Sequence, residues 1–216
     1  MQFHAALFDL DGTLVDSLDD IADAMNAVLE ERGFAPHDPA AYRHMIGDGM
    51  DKLVLRALPD GRRDPRAVKS CSAAMRHLYA RRWFIKSRPY AGIHELLSAL
   101  ERRGVKLAVL SNKLQDFTEL MVRRFFPEFE FESVRGIQPG IPPKPDPFSA
   151  LKTAEALAVS QDRMVYMGDS DVDMKTAVAA GMYPVGVLWG YRTALELIHG
   201  GARLLVRRPE DLLAWV

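Results

Sequence analysis

The sequence predicts an α/β fold, a doubly wound parallel sheet with a small all-helical segment inserted after its first strand. Three observations carry this. Short apolar runs recur along the chain with helical patterns between them, as strands joined by crossover helices require. The alternation fails across residues 16–86, where helical patterns follow one another without a strand. The apolar runs end in carboxylates, hydroxyls, amides and glycines, the residue types that open sheets gather in one crevice beyond their strand ends.

The first element is Phe3-His4-Ala5-Ala6-Leu7-Phe8, an apolar run that stops at Asp9-Leu10-Asp11-Gly12-Thr13. A run of that length ending in an acidic glycine turn reads as a buried parallel strand. Ser17 with Asp20 three positions later predicts a capped helix start, and Ile21, Met25, Val28 and Leu29 then share one face. Gly33 is placed to end that helix. A second helical pattern, Val68, Cys71, Met75, Leu78 and Tyr79, precedes Arg88-Pro89. A crossover needs only a dozen residues or somewhat more, so this length of helix predicts a cap over the strand ends.

Further strands are expected at Leu107–Leu110, ending in Ser111-Asn112, and at Met164–Met167, ending in Gly168-Asp169. Val185–Leu188 and Leu204–Val206 are weaker candidates, and helices are expected at 92–103, 114–125, 147–158, 171–180 and 193–199. Residues 1–15 and 87–216 thus form a Rossmann-like core domain in this reading, and 16–86 a helical cap domain.

Bulk properties exclude several function classes. The formal net charge of −1 favours neither nucleic acid nor an anionic membrane as partner. Arg81–Arg82, Arg123–Arg124 and Arg207–Arg208 are short clusters that read as solvated edges. Cys71 is the only cysteine, so there is no internal disulfide and no thiolate metal cluster, and its helical spacing predicts core packing. The N-terminal run lacks a basic flank, and no apolar stretch approaches the ~20 residues of a membrane span. A cytoplasmic protein, monomeric or weakly homodimeric, is expected.

The candidate chemistry lies in four segments: Asp9–Thr13, Ser111-Asn112, Lys144 between Pro143 and Pro145, and Asp169–Asp173. Carboxylate oxygens suit a hard ion such as Mg²⁺. Lys144 and the backbone N–H groups of the Gly12 turn suit the oxygens of a phosphoryl group, with Ser111 and Asn112 as further donors. A carboxylate at Asp9 can attack phosphorus, dividing one hard step into two. Asp11, two residues on, can protonate the leaving alcohol and then deprotonate the attacking water. Its side chain would stand off the metal, its backbone carbonyl remaining available to it.

In these segments the sequence closely resembles the haloacid dehalogenase superfamily, over nearly the whole chain. The resemblance implies Asp9 as nucleophile, Asp11 as acid and base, and Ser111 and Lys144 as holders of the phosphoryl group. Asp169 would complete the Mg²⁺ site, with Asp173 supporting the metal through water or orienting Lys144. Within the superfamily Phe8–Ser17, Ile46-Gly47-Asp48-Gly49, Ser111-Asn112-Lys113 and Trp189–Arg192 are most similar to phosphoglycolate phosphatases.

Asp11 counts against dehalogenases and phosphonoacetaldehyde hydrolases, which lack an acid there. Ile21 and Met50 count against β-phosphoglucomutases, which carry a histidine and an arginine near these places. The expected substrate is a small phosphorylated metabolite, phosphoglycolate or a related short ester. Pyrophosphate, nucleotides and sugar phosphates remain alternatives, as does a non-catalytic binding protein. The loop Ile46–Met50, with Gly47, is expected to project over the leaving group, with His44, Asp48 and Lys52 as possible contacts and Trp189–Arg192 as a possible pocket edge. An acidic Asp48 facing a substrate carboxylate is unfavourable unless paired or turned outward.

Overall fold

A computed structural model describes residues 3–215. The central strand β1 (Ala5–Phe8) is buried on both faces and pairs in parallel with β4 (Lys106–Leu114) on one side and β6 (Met164–Gly168) on the other. With β5 (Phe131–Ile137), β7 (Tyr183–Val187) and β8 (Leu204–Val206) the sheet runs β5-β4-β1-β6-β7-β8, every pair parallel. The chain moves outward through β4 and β5 and then returns to the other side of β1. The switch in direction opens a crevice at the carboxyl end of β1.

The period of two along the strands sends successive side chains to opposite faces. Ala6, Phe8, Val109, Val165 and Met167 join one core with Leu96, Leu97, Phe117 and Met121 of α4 (Ile93–Arg102) and α5 (Gln115–Phe125). Ala5, Leu7, Ala108 and Tyr166 join a second core with Ala150, Ala154 and Ala177 of α6 (Phe148–Leu157) and α7 (Asp171–Ala179). With α8 (Ala194–Gly200), all five core helices fall within about one residue of their expected places.

The insertion holds α1 (Leu18–Glu31), α2 (Met50–Ala57) and α3 (Pro65–Tyr79), with short 3₁₀ turns at Pro39–His44 and Asp60–Arg62. Gly33 ends α1 with φ +73°. There Phe34 N–H donates to Leu29 O and Gly33 N–H to Glu30 O, each at 2.9 Å, which closes the helix as a Schellman turn. Cys71 is buried in the core, as its spacing predicts.

Four features differ from the sequence reading. Strand β5 was not expected: it is a half-buried edge strand carrying Glu132 and Arg135, not a continuous apolar run. Strand β4 does not stop at Leu110; it continues to Leu114 with its register against β5 shifted between those residues. A two-stranded antiparallel ribbon, β2 (Val15–Asp16) with β3 (Arg88–Pro89), joins the two ends of the insertion. Ser17 stands at the start of α1, yet its hydroxyl makes no cap, because it is turned to Asp11. Asp20 instead accepts from Lys86 N–H, Ser87 N–H and the Ser87 hydroxyl at 2.7–3.1 Å, tying the start of the insertion to its end. Among the described residues no helix is long and apolar enough to cross a membrane.

Candidate active site

Asp9 follows β1 directly, its N–H donating to Met167 O at 2.9 Å, so its side chain leaves the sheet at the crevice. The chain then turns, with the Leu14 and Val15 N–H groups both directed at Leu10 O. Gly12 makes that turn at φ +91°, and a Cβ there would stand 2.4 Å from Asp169 Oδ2. Only glycine allows both the left-handed backbone and this approach.

Asp9, Asp169 and Asp173 converge, with oxygens all within 4.8 Å of one another. Lys144 closes the group, donating to Asp9 Oδ1 at 2.7 Å, Asp173 Oδ1 at 2.6 Å and Leu110 O at 3.2 Å. Asp173 is further fixed by its own helix: its Oδ2 accepts from Ser170 N–H and the Ser170 hydroxyl in a capping box at the start of α7. Asp169 accepts Tyr191 N–H at 2.7 Å.

Lys144 is held through its backbone. Asn112 Oδ1 accepts Lys144 N–H at 2.9 Å, and Asn112 Nδ2 donates to Lys144 O at 3.1 Å. The same amide nitrogen reaches Gly47 O at 3.0 Å, linking the core to the loop of the insertion. The side chain of Asn112 therefore positions its neighbours. Ser111 is buried at the cavity wall, and its hydroxyl accepts Lys113 N–H at 3.2 Å.

The electrostatics are those of crowded acids. Burial pushes the Asp9 carboxyl up to about 7, the Lys144 ammonium pulling against it and the Asp173 charge adding to it. Burial, with the charges of Asp9 and Asp173, also holds Asp169 well above the usual carboxylate range. Burial pulls Lys144 down, but Asp173 and Asp9 outweigh it and keep the ammonium charged. Once deprotonated, the three carboxylates would outnumber the one ammonium by two negative charges, in a buried pocket of oxygen donors. That set fits Mg²⁺, a hard divalent ion that takes one or two carboxylates together with waters and phosphate oxygens.

Asp11 stands apart from the three. Its Oδ1 accepts the Ser17 hydroxyl at 2.5 Å, and both its oxygens take the Lys113 ammonium at 2.8 and 2.9 Å. Sequence reasoning named Lys113 only within the resembling segment Ser111-Asn112-Lys113 and gave it no role in the site. Its contact with Asp11 follows from β4 continuing, with shifted register, through residues 111–114.

Above these residues lies a cavity bordered by Asp9, Asp11, Ser111, Asn112, Lys144 and Asp169, and roofed by Ile21, Ile46, Gly47, Met50 and Leu53 of the insertion. Tyr191 and Arg192 border it, as the sequence suggested, while Trp189 packs away with its indole N–H on Thr13 O. His44, Asp48 and Lys52 do not border it, and Asp48 is ion-paired with Arg56.

The comparisons agree with this geometry. Residues 6–187 match the model of a family described as haloacid dehalogenase-like hydrolase. A phosphoglycolate phosphatase of Aquifex aeolicus is 32% identical over 207 residues, 96% of this chain and 93% of that protein. One of Nitrosospira multiformis is 33% identical, covering 91% of this chain and 88% of its own length. A crystal structure from Lactobacillus delbrueckii subsp. bulgaricus superposes with a TM-score of 0.92 at 31% identity, covering 98% of this chain and 97% of that one. Whole-length likeness and the order in which acid, hydroxyl, lysine and acid meet beyond the sheet lead to one conclusion: this chain belongs to the haloacid dehalogenase-like hydrolases.

Proposed function

We propose that the protein is a Mg²⁺-dependent phosphatase. It hydrolyses a small phosphate monoester, phosphoglycolate or a related short ester, through an aspartyl-phosphate on Asp9. The observation that carries this is the division of labour among the carboxylates. Asp9 sits with Asp169 and Asp173 in a buried cluster closed by Lys144, while Asp11 faces the cavity outside it.

A carboxylate oxygen of Asp9 attacks phosphorus as the ester P–O bond breaks, and Asp11 supplies a proton to the departing alkoxide oxygen. Water then attacks the acyl-phosphate, Asp11 takes its proton, and the P–O bond to Asp9 breaks to release phosphate. Lys144 and the N–H groups of the Gly12 turn hold phosphoryl oxygens, with Ser111 beside them. Asp9, Asp169 and the Asp11 carbonyl would hold Mg²⁺, with Asp173 orienting Lys144. The ion supplies neutralisation of charge that develops on the transferring group.

Residues 16–86 act as the cap, whose apolar roof screens the transferring phosphoryl group from bulk solvent while leaving room beside Asp11 for the one attacking water. Ile21 and Met50 give that roof no acid or base, which favours hydrolysis over a mutase reaction. Relatives named phosphoglycolate phosphatase support the substrate, and the pairing of Asp48 with Arg56 removes its objection to a substrate carboxylate.

The test is phosphate release with Mg²⁺ across 2-phosphoglycolate, pyrophosphate, nucleotides and sugar phosphates, with Asp9→Asn as control. Turnover of a monoester abolished by Asp9→Asn is expected. No turnover of any ester, or turnover that survives the substitution, would sink the reading.

A further inference from the structure

We infer that Lys113, on the core strand β4, is the residue that selects the leaving group. It takes a second anionic group on the substrate, which makes the preferred substrate class the phosphate monoesters of short hydroxy acids. The inference rests on the phosphatase reading above and adds to it where in the cavity the carboxylate is read.

The roof of the cavity has almost nothing to offer a polar leaving group. Ile21, Ile46, Met50, Leu53 and Met75 are apolar, and Tyr79 turns its hydroxyl toward Met121 Sδ at 4.0 Å. A sugar or nucleoside placed here would bury hydroxyls or ring nitrogens against hydrocarbon without partners. That arrangement disfavours such ligands.

Three cations border the cavity, and two are fully engaged in building it. Lys144 gives its ammonium to Asp9, Asp173 and Leu110 O. Arg192 holds the carbonyls of Arg43 and Ile46 and so fastens the insertion to the core. Lys113 differs from both. Its ammonium meets one charged group, the Asp11 carboxylate, where Lys144 meets two, and it stands against Tyr79, 4.8 Å from the ring centre.

The Lys113 side chain is only 7% exposed, so any charge it meets is met largely away from water. Asp11 is the group that must face the ester oxygen, so a carboxylate one or two carbons beyond that oxygen falls beside Lys113. The contacts expected from the cap loop point elsewhere: His44, Asp48 and Lys52 do not border the cavity.

The experiment compares kcat/KM for 2-phosphoglycolate with kcat/KM for ethyl phosphate, a neutral leaving group of similar size, using the full chain with Mg²⁺. In the native protein the acid should be favoured by about 10- to 100-fold, the range for a hydrogen-bonded charge. Lys113→Met should collapse that ratio toward one, and Lys113→Arg should keep most of it. Lys113→Gln, which retains a donor for Asp11, serves in place of Lys113→Met if the latter does not fold. Loss of both activities by one factor, with the ratio intact, would show that Lys113 acts only through Asp11 and would overturn the inference. A native preference for ethyl phosphate or for sugar phosphates would overturn it while leaving the phosphatase reading in place. No turnover of either ester would remove both together.

Discussion

Gly12 is the residue at which backbone and chemistry constrain each other most tightly. A methyl group there would stand 2.4 Å from Asp169 Oδ2 on a backbone at φ +91°. Asp169 would have to move, and it belongs to the acid cluster. Gly12→Ala should therefore lower kcat at least about 10-fold and raise the Mg²⁺ concentration needed for half-maximal rate, with ~1 kcal/mol of stability lost to backbone strain. Steady-state rates at varied Mg²⁺ read both effects, and unchanged Mg²⁺ dependence would count against the cluster as the ion's site. Asp9, Lys144 and Asp169 were legible because each stands in a distinctive local pattern. The roles of Lys113 and Ser17 were not, because each rests on a side-chain contact with Asp11, from 102 residues away for Lys113 and from six residues away for Ser17. Ser17 reads locally as a helix cap, and the competing partner that claims its hydroxyl is visible only in three dimensions.

At the scale of elements, the insertion is joined to the core by the β2–β3 ribbon and by Asp20, which is 1% exposed and accepts from the Lys86 and Ser87 backbone and from the Ser87 hydroxyl. Asp20→Ala leaves those donors buried without a partner and should cost about 2–3 kcal/mol, measured by urea denaturation. Because the ribbon sets how the roof meets the cavity, KM should rise more than kcat falls. A stability loss with both kinetic constants unchanged would show that Asp20 is structural only. The core strands and helices were readable from apolar runs and 3.6-residue patterns, which buried parallel sheets display strongly. Strand β5 escaped because an edge strand shows one face to water. The ribbon escaped because two residues on each side carry no period.

At the scale of the whole molecule, the doubly wound order is what brings segments far apart in sequence to one crevice; strand and helix alternation points to a parallel sheet, and the order of its strands is seen in the structure. The net charge of the crevice then ties folding to ion binding. Asp9, raised from 3.8 to about 7, binds its proton more tightly folded than unfolded, as does Asp169. Without divalent ions the stability these groups contribute is complete below the unfolded value and is lost as pH rises through the folded one. Mg²⁺ competes for the deprotonated acids, so the rise in Tm on adding it should be larger at pH 8 than at pH 5. A saturating ion should give a gain of about 5–10 °C at the higher pH. Scanning calorimetry with and without chelator measures this, and a gain independent of pH would place the ion elsewhere.

The ribbon has one more consequence. Val15 and Pro89 face each other across a single antiparallel pair, so the sheet meets the insertion as a loop whose two ends already touch. Lengthening such a loop costs only about 0.6 kcal/mol for each doubling. The segment between these residues is thus open to replacement by a longer, shorter or unrelated one, a transplantable ceiling over an acid cluster that keeps its own support.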